Sequence, residues 1–173
     1  MTFFFYLIAL FSSIFIFLII SLYYLWSITV GVPFVPTDKQ MLKEMVDFLV
    51  KAKVKNVAEL GAGNGRIVFS LASKGIKVTA VEYNPILTIW MRLWKSIKRY
   101  NQVTVINGDL FDLKLEEFDA VIVYLFPEYM DKLKQKFKAE LKDGSYIICN
   151  TFSLKGMEPI RKSGKLYIYQ LAK

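Results

Sequence analysis

The chain contains no histidine and a single cysteine, Cys149. The first absence removes the commonest general base and the commonest metal ligand, and with them any Ser-His or Cys-His catalytic pair. The second excludes an intrachain disulfide, and nothing in the sequence points to an oxidising compartment. Charge is also missing from one end. No Asp, Glu, Lys or Arg precedes Asp38. The formal net charge of +8 therefore lies wholly beyond that point, and such a balance suits nucleic acid, anionic lipid or acidic substrates alike. The 173 residues, 54% of them hydrophobic, suffice for one globular domain with a short appendage.

What the uncharged end does contain is "FFFYLIALFSSIFIFLIISLYYLW", Phe3 to Trp26. As a helix this stretch measures about 36 Å, enough to cross a hydrocarbon core of about 30 Å with some tilt. Ser12, Ser13 and Ser21 interrupt it, and a helix can satisfy their hydroxyls on its own carbonyls. Tyr23, Tyr24 and Trp26 gather at its end, where an interfacial aromatic belt belongs. A cleaved signal peptide would have a basic start, a shorter apolar run and a small-residue cleavage site. The expectation is one N-terminal transmembrane helix, residues 1–28, with the bilayer contacted through residues 3–26. Lys39, Lys43, Lys51, Lys53 and Lys55 follow the span and none precede it. That asymmetry places a single-pass membrane protein with its globular part on the cytoplasmic side.

Residues 29–38 read as an extended connector, because Pro33 and Pro36 fix φ and push their predecessors out of the helical region. Thr37 or Asp38 can cap a helix over 39–52, where Met41, Leu42, Met45, Val46 and Leu49 recur at helical spacing. Strands at 56–60, 77–82, 102–107, 118–125, 144–152 and 165–172 then alternate with helices at 64–73, 85–100 and 128–142. Alternation of this kind predicts an α/β fold, a doubly wound Rossmann-like sheet, mostly parallel, with an antiparallel edge near the C-terminus.

The first strand runs into "VAELGAGNGRI", residues 57–67. Gly61 and Gly63 permit a tight turn and close backbone approach at the place where open α/β sheets bind nucleotides. Arg66 stands where the dinucleotide fingerprint needs its third glycine, and no Gly-Lys-Ser/Thr follows to make a phosphate loop. Glu59-Leu60-Gly61-Ala62-Gly63 resembles instead the first motif of the class I S-adenosylmethionine-dependent methyltransferases. Glu82, at the end of the second strand, matches the acid with which that family holds the cofactor's ribose. Asp109, in Asn107-Gly108-Asp109-Leu110, matches its adenine-side acid. A carboxylate at Glu59 suits the cofactor's ammonium, where it would repel a phosphate.

The order of "VPFVPT", "LGAGNGRIV", "VEYNP" and "VIVYLFPEYM" resembles, over nearly the whole chain, the ATP synthase c-subunit lysine methyltransferase family and small prokaryotic protein lysine methyltransferases. The resemblance implies a class I methyltransferase domain over 39–173 and S-adenosyl-L-methionine as cofactor. It implies a cofactor site of Pro36, Thr37, Glu59, Gly61, Ala62, Gly63, Glu82, Tyr83, Asn84, Asp109 and Leu110, with no metal. For Pro36 and Thr37 the other reading is a plain linker with a helix cap.

The activity expected is in-line methyl transfer to the ε-amine of a lysine in a protein substrate. Alignment, water exclusion and a neutral amine are what such a transfer needs, and solvent can take the proton, so a chain without histidine suits it. Tyr124-Leu125-Phe126-Pro127 departs from the Asp/Asn-Pro-Pro pattern of enzymes that methylate nucleic-acid amines, which argues against nucleic acid. Tyr124, at the end of the central strand, either lines a lysine channel by cation–π attraction or packs beneath the loop. Two further readings remain at this level. One is methylation of a lipid-borne small substrate, a quinone or an aminophospholipid. The other is a non-catalytic, membrane-tethered adaptor of the same fold. The Lys-rich stretch 132–142 reads as a solvated face.

Overall fold

The computed structural model describes residues 2–30 and 37–172, and Pro36 and the side chain of Trp26 lie outside what it describes. Chain contacts divide it into two compact units, Met1–Val35 and Pro36–Lys173. Among its described residues the first holds a single helix, α1 (Thr2–Val30), which ends two residues beyond the span expected from composition. The Ser12 hydroxyl donates to the Ile8 carbonyl and the Ser13 hydroxyl to the Leu10 carbonyl, each at 2.8 Å. Both polar groups are thus satisfied within the helix. Among the described residues, Phe3–Tyr24, 22 residues with a mean hydropathy of 2.8, is the one helical segment long and apolar enough to cross a membrane, by length and composition.

The second unit opens with α2 (Lys39–Lys51), capped by the Asp38 carboxylate, which accepts the Gln40 and Met41 backbone N–H groups. Strands and helices then alternate: β1 (Asn56–Leu60), α3 (Arg66–Ala72), β2 (Lys77–Glu82), α4 (Pro85–Lys98), β3 (Val103–Asn107), β4 (Ala120–Val123), α5 (Pro127–Glu140), β5 (Tyr146–Asn150), β6 (Arg161–Ser163) and β7 (Leu166–Gln170). The strands form one seven-stranded sheet in the order β3-β2-β1-β4-β5-β7-β6. Its first five strands are parallel. β7 pairs antiparallel to β5, and β6 antiparallel to β7. This is the doubly wound, mixed sheet the alternation predicts.

The short strand β6 has no counterpart in the sequence pattern. The expected strand over 118–125 is cut to Ala120–Val123, because the chain turns at Tyr124 toward Phe126 and Pro127, which begin α5. Tyr124 therefore stands one residue beyond the strand rather than at its end.

Alternation along each strand splits the core in two. Val57, Val78, Ala80, Ala120, Ile122 and Ile148 face α2 and α3 with Met91 of α4. Ala58, Leu60, Val121, Val123, Ile147 and Cys149 face Met130, Leu133 and Phe137 of α5. The strand order reverses between β1 and β4. The crevice at their C-terminal ends is where sheets of this type receive a ligand.

Candidate cofactor and substrate site

Three loops meet at that edge. The first follows β1. Gly61, Gly63 and Gly65 all have positive φ, at 79°, 57° and 81°, a region glycine enters without steric cost. The Gly61 and Ala62 N–H groups both donate to the Val81 carbonyl, at 2.9 and 3.0 Å. The loop is thereby pinned across to the end of β2. A methyl group added at Gly61 would meet Leu125 Cδ2 at 3.4 Å, so the residue after Tyr124 closes over the glycine loop. No spacing in the sequence links Leu125 to Gly61, so sequence reasoning misses this residue.

The second loop follows β2. One Glu82 carboxylate oxygen accepts the Gly63 N–H at 2.8 Å and the other accepts the Asn84 N–H at 2.8 Å. The side chain braces the first loop against the second and keeps further lone pairs on both oxygens. Asn84 caps α4 through its side-chain oxygen, which accepts from Ile86 and Leu87. Tyr83 between them is exposed.

The third loop follows β3. Asn107 donates through its amide to the Glu82 and Tyr83 carbonyls, at 3.0 and 2.9 Å. The Asp109 carboxylate accepts the Phe111 N–H at 2.9 Å and caps a 3-10 turn, Leu110–Asp112. The turn is held from α5: Lys132 lies over the Phe111 ring at 3.8 Å. Lys136 donates to the Phe111 carbonyl at 2.9 Å and pairs with Glu140 at 2.7 Å. Part of the face expected to be solvated is therefore a strap on the Asp109 loop.

Glu59 is treated differently from these groups. It is buried on the α3 side of the sheet, and its Oε2 has no hydrogen-bond partner among the described residues. Burial pushes its carboxyl well above the usual range. A backbone hydrogen bond from Val68, in the first turn of α3, opposes that shift, and the negative charge of Glu82 adds to it. Thr37 is buried too. Its carbonyl accepts from the Arg66 guanidinium at 2.8 Å, and its hydroxyl from the Asn150 amide at 3.2 Å. Both partners are site-edge residues, Arg66 opening α3 and Asn150 ending β5. Among the described residues no group of three or more Cys, Asp or Glu is placed to hold a metal.

A pinned glycine loop thus lies between a buried acid and a strand-end acid, at the reversal point of a doubly wound sheet. The model of the ANTKMT methyltransferase domain matches residues 59–161. The chain belongs to this methyltransferase family.

Among curated relatives of this methyltransferase domain is the human ATP synthase c-subunit lysine N-methyltransferase. It is 25% identical over 138 residues, which are 79% of this chain and 58% of the relative. A protein-lysine N-methyltransferase of Saccharolobus islandicus is 27% identical over 136 residues, 74% of this chain and 81% of the relative. The match spans little more than half the length of the human and mouse relatives. Among solved structures, an RNA methyltransferase from Salinibacter ruber in complex with S-adenosyl-L-homocysteine superposes with a TM-score of 0.73 at 26% identity. The match covers 80% of this chain and 95% of that one.

S-adenosyl-L-methionine is the cofactor of this domain, and the residues present fit it. The orphaned, buried Glu59 oxygen offers a counter-charge to an ammonium, which is what an unpaired buried acid lacks. Glu82 retains acceptor capacity for a pair of hydroxyls. Between Gly61 and Gly63 the loop carries no side chain bulkier than that of Ala62.

Proposed function

We propose that the chain is a membrane-anchored, S-adenosyl-L-methionine-dependent methyltransferase acting on the ε-amine of a lysine in a protein substrate. The observation that carries the reading is the constellation of Glu59, the Gly61–Gly65 loop and Glu82 at one sheet edge, in a family whose curated relatives are named for lysine methylation. Membrane anchoring is supported by the apolar length of Phe3–Tyr24.

In this reading Thr37, Gly61, Ala62, Gly63, Tyr83, Asn84, Asp109 and Leu110 line the cofactor with the two acids, and Pro36 precedes them in the connector. When bound, the cofactor supplies an electrophilic methyl group on a sulfonium. The chain's own residues do the rest. Glu82 receives ribose hydroxyls while holding both loops in place. Glu59 neutralises the ammonium. Leu125, over Gly61, keeps water from the reacting edge. Half-buried Tyr124 offers an aromatic face to the incoming lysine. The amine has to arrive neutral, and with no histidine in the chain its proton leaves to solvent.

The test uses the full chain in detergent, labelled S-adenosyl-L-methionine and a membrane extract, compared with Glu82→Ala. Label on a protein band, recovered as methyl-lysine and lost in the variant, is the expected result. Label in the organic phase would replace the acceptor with a lipid or quinone. Absence of cofactor binding together with no transfer to any fraction would support a tethered adaptor instead. Removal of residues 1–28 should spare methylation of a soluble lysine peptide and reduce that of membrane protein, because tethering raises local concentration.

A further inference from the structure

Helix α4 is amphipathic in the wrong sense for a helix that covers a sheet. Thr88 and Met91 are its only buried residues, and they face the core. On the opposite side Ile86, Ile89, Trp90, Leu93 and Ile97 recur at helical spacing, each 50% to 69% exposed. Trp94 continues the row, stacked on Trp90 with ring centroids 5.8 Å apart. A contiguous apolar face of this length marks an interaction site.

The charges on the helix itself are of one sign. From Tyr83 to Gly108 there is no Asp or Glu, while Arg92, Lys95, Lys98 and Arg99 all fall in that interval. On a helix at 100° per residue, Arg92 and Lys98 border the apolar stripe on its two sides, Arg92 with one guanidinium nitrogen also donating to the Val105 carbonyl at 3.4 Å. Lys98 leans over the Trp94 ring at 5.2 Å, with its apolar stem along the stripe and its ammonium at the margin. Apolar residues and tryptophan on one side, with cations along both borders, are the pattern of helices that lie in a bilayer interface and favour anionic lipid.

A second copy of the chain is a poorer occupant. A two-fold contact through α4 would bring the same cations against one another. Helix α5, richer in lysine, lacks the apolar stripe: its Met130, Leu133 and Phe137 are buried in the core. Three of its lysines are already engaged with Phe111, Glu140 and the Lys155 carbonyl.

We propose that the outward face of α4 docks the globular unit onto an anionic phospholipid surface, with Ile86, Ile89, Trp90, Leu93 and Ile97 in the interface and Arg92 and Lys98 on the head groups. The proposal does not depend on what the domain methylates. Because α4 is capped by Asn84, two residues from Glu82, docking sets the cofactor edge at the membrane surface. Helix and strands run antiparallel in such a fold, so the edge opens sideways along the bilayer rather than away from it.

The chain's three tryptophans, Trp26, Trp90 and Trp94, allow a direct test. A full-length Trp26→Phe chain reports on α4, and a Trp90→Phe/Trp94→Phe chain reports on the N-terminal helix, so failure of anchoring and failure of docking read separately. Each is reconstituted in vesicles of phosphatidylcholine, or of phosphatidylcholine with phosphatidylglycerol, with bromine on the acyl chains. The expected result is blue-shifted emission from Trp90 and Trp94, quenched by bromine in the anionic vesicles. Added salt should relieve this quenching, as it screens exposed charge, and leave that of Trp26 untouched. Ile89→Ser/Leu93→Ser, which removes apolar surface from water and should not lower the melting temperature, should lose the quenching. So should Arg92→Glu/Lys98→Glu. Trp90 and Trp94 emission with neither blue shift nor bromine quenching in the anionic vesicles would overturn the proposal. So would a blue shift without bromine quenching, which is the signature of a protein partner, or equal quenching in neutral vesicles.

Discussion

The Glu82 carboxylate accepts the Gly63 N–H at 2.8 Å, across 19 positions of sequence. The acid at the end of one strand thereby sets the position of the glycine loop that ends its neighbour. With the Asn84 N–H on its other oxygen, Glu82 organises the site before any ligand arrives.

Glu82→Ala should therefore weaken cofactor affinity through two losses, the contact with ligand hydroxyls and the position of the loop. Hydrogen bonds to charged groups contribute about 1.5–3 kcal/mol each, so a loss of roughly 10- to 150-fold is expected. Calorimetric titration with S-adenosyl-L-homocysteine measures it. Glu82→Gln, which keeps one acceptor oxygen, should fall between. Unchanged affinity in the alanine variant would remove Glu82 from the site.

Glu59 gives a pH signature. Its carboxyl lies well above the usual 4.5 because it is buried. Below 4.5 the group is protonated in both folded and unfolded chains, and its contribution to stability is complete. As pH rises from 4.5 through the raised folded value, the unfolded chain releases a proton the folded one retains, and that stability is lost. The slope is at most about 1.4 kcal/mol per pH unit. Glu59→Gln cannot ionise and still offers an acceptor to Val68. The ligand-free variant should match wild type at acid pH and exceed it increasingly above 4.5. With the cofactor bound the order should reverse, since only the wild type gains a counter-charge. Thermal melts over a pH series, with and without ligand, check both halves.

Two glycines with the same φ separate strain from crowding. Gly65 and Gly75 both lie at 81°, where an L-residue costs roughly 1–2 kcal/mol. A methyl at Gly75 meets nothing within 4 Å, whereas at Gly65 it would stand 2.7 Å from Phe69 and 2.9 Å from Met91. Gly65→Ala should therefore add an overpacking cost of about 1–3 kcal/mol to the strain that Gly75→Ala carries alone. Denaturant unfolding of the two variants against wild type measures the difference. Equal destabilisation would show that Phe69 and Met91 yield freely.

Some of this architecture is legible in the sequence, and the rest is hidden for identifiable reasons. The bounds of β1 and β2 follow from apolar runs ending in Leu60 and Glu82. Thr37, singled out by family resemblance, lies buried between Arg66 and Asn150, contacts no local spacing could reveal. β6 is three polar residues with no alternation to betray it. The strap from Lys132 and Lys136 to Phe111 joins a helix to a turn over 20 positions away, so its lysines read as ordinary surface. Helix α4 hides its orientation most. Its apolar stripe is plain in the sequence, but an apolar stripe reads as core-facing, and only the position of Met91 against the sheet shows that the stripe points outward.

That strap carries the last prediction. Lys136 is largely buried, donates to the Phe111 carbonyl and pairs with Glu140. Glu140 in turn accepts the Leu115 N–H at 3.1 Å. Lys136→Met keeps the stem's packing but strips a donor from both acceptors, at about 1–3 kcal/mol for groups left unsatisfied. Lys138→Met, at an exposed position on the same helix, should stay within about 0.5 kcal/mol of wild type. If the strap positions the Asp109 loop, the loss at Lys136 should be local. Amide hydrogen exchange should quicken most over 109–115, beyond the rise that the global loss of stability imposes on β1 and β4, and cofactor affinity should fall. A uniform rise in exchange across the sheet would make Lys136 a general stability residue and leave Asp109 to hold its place through its own cap on Phe111.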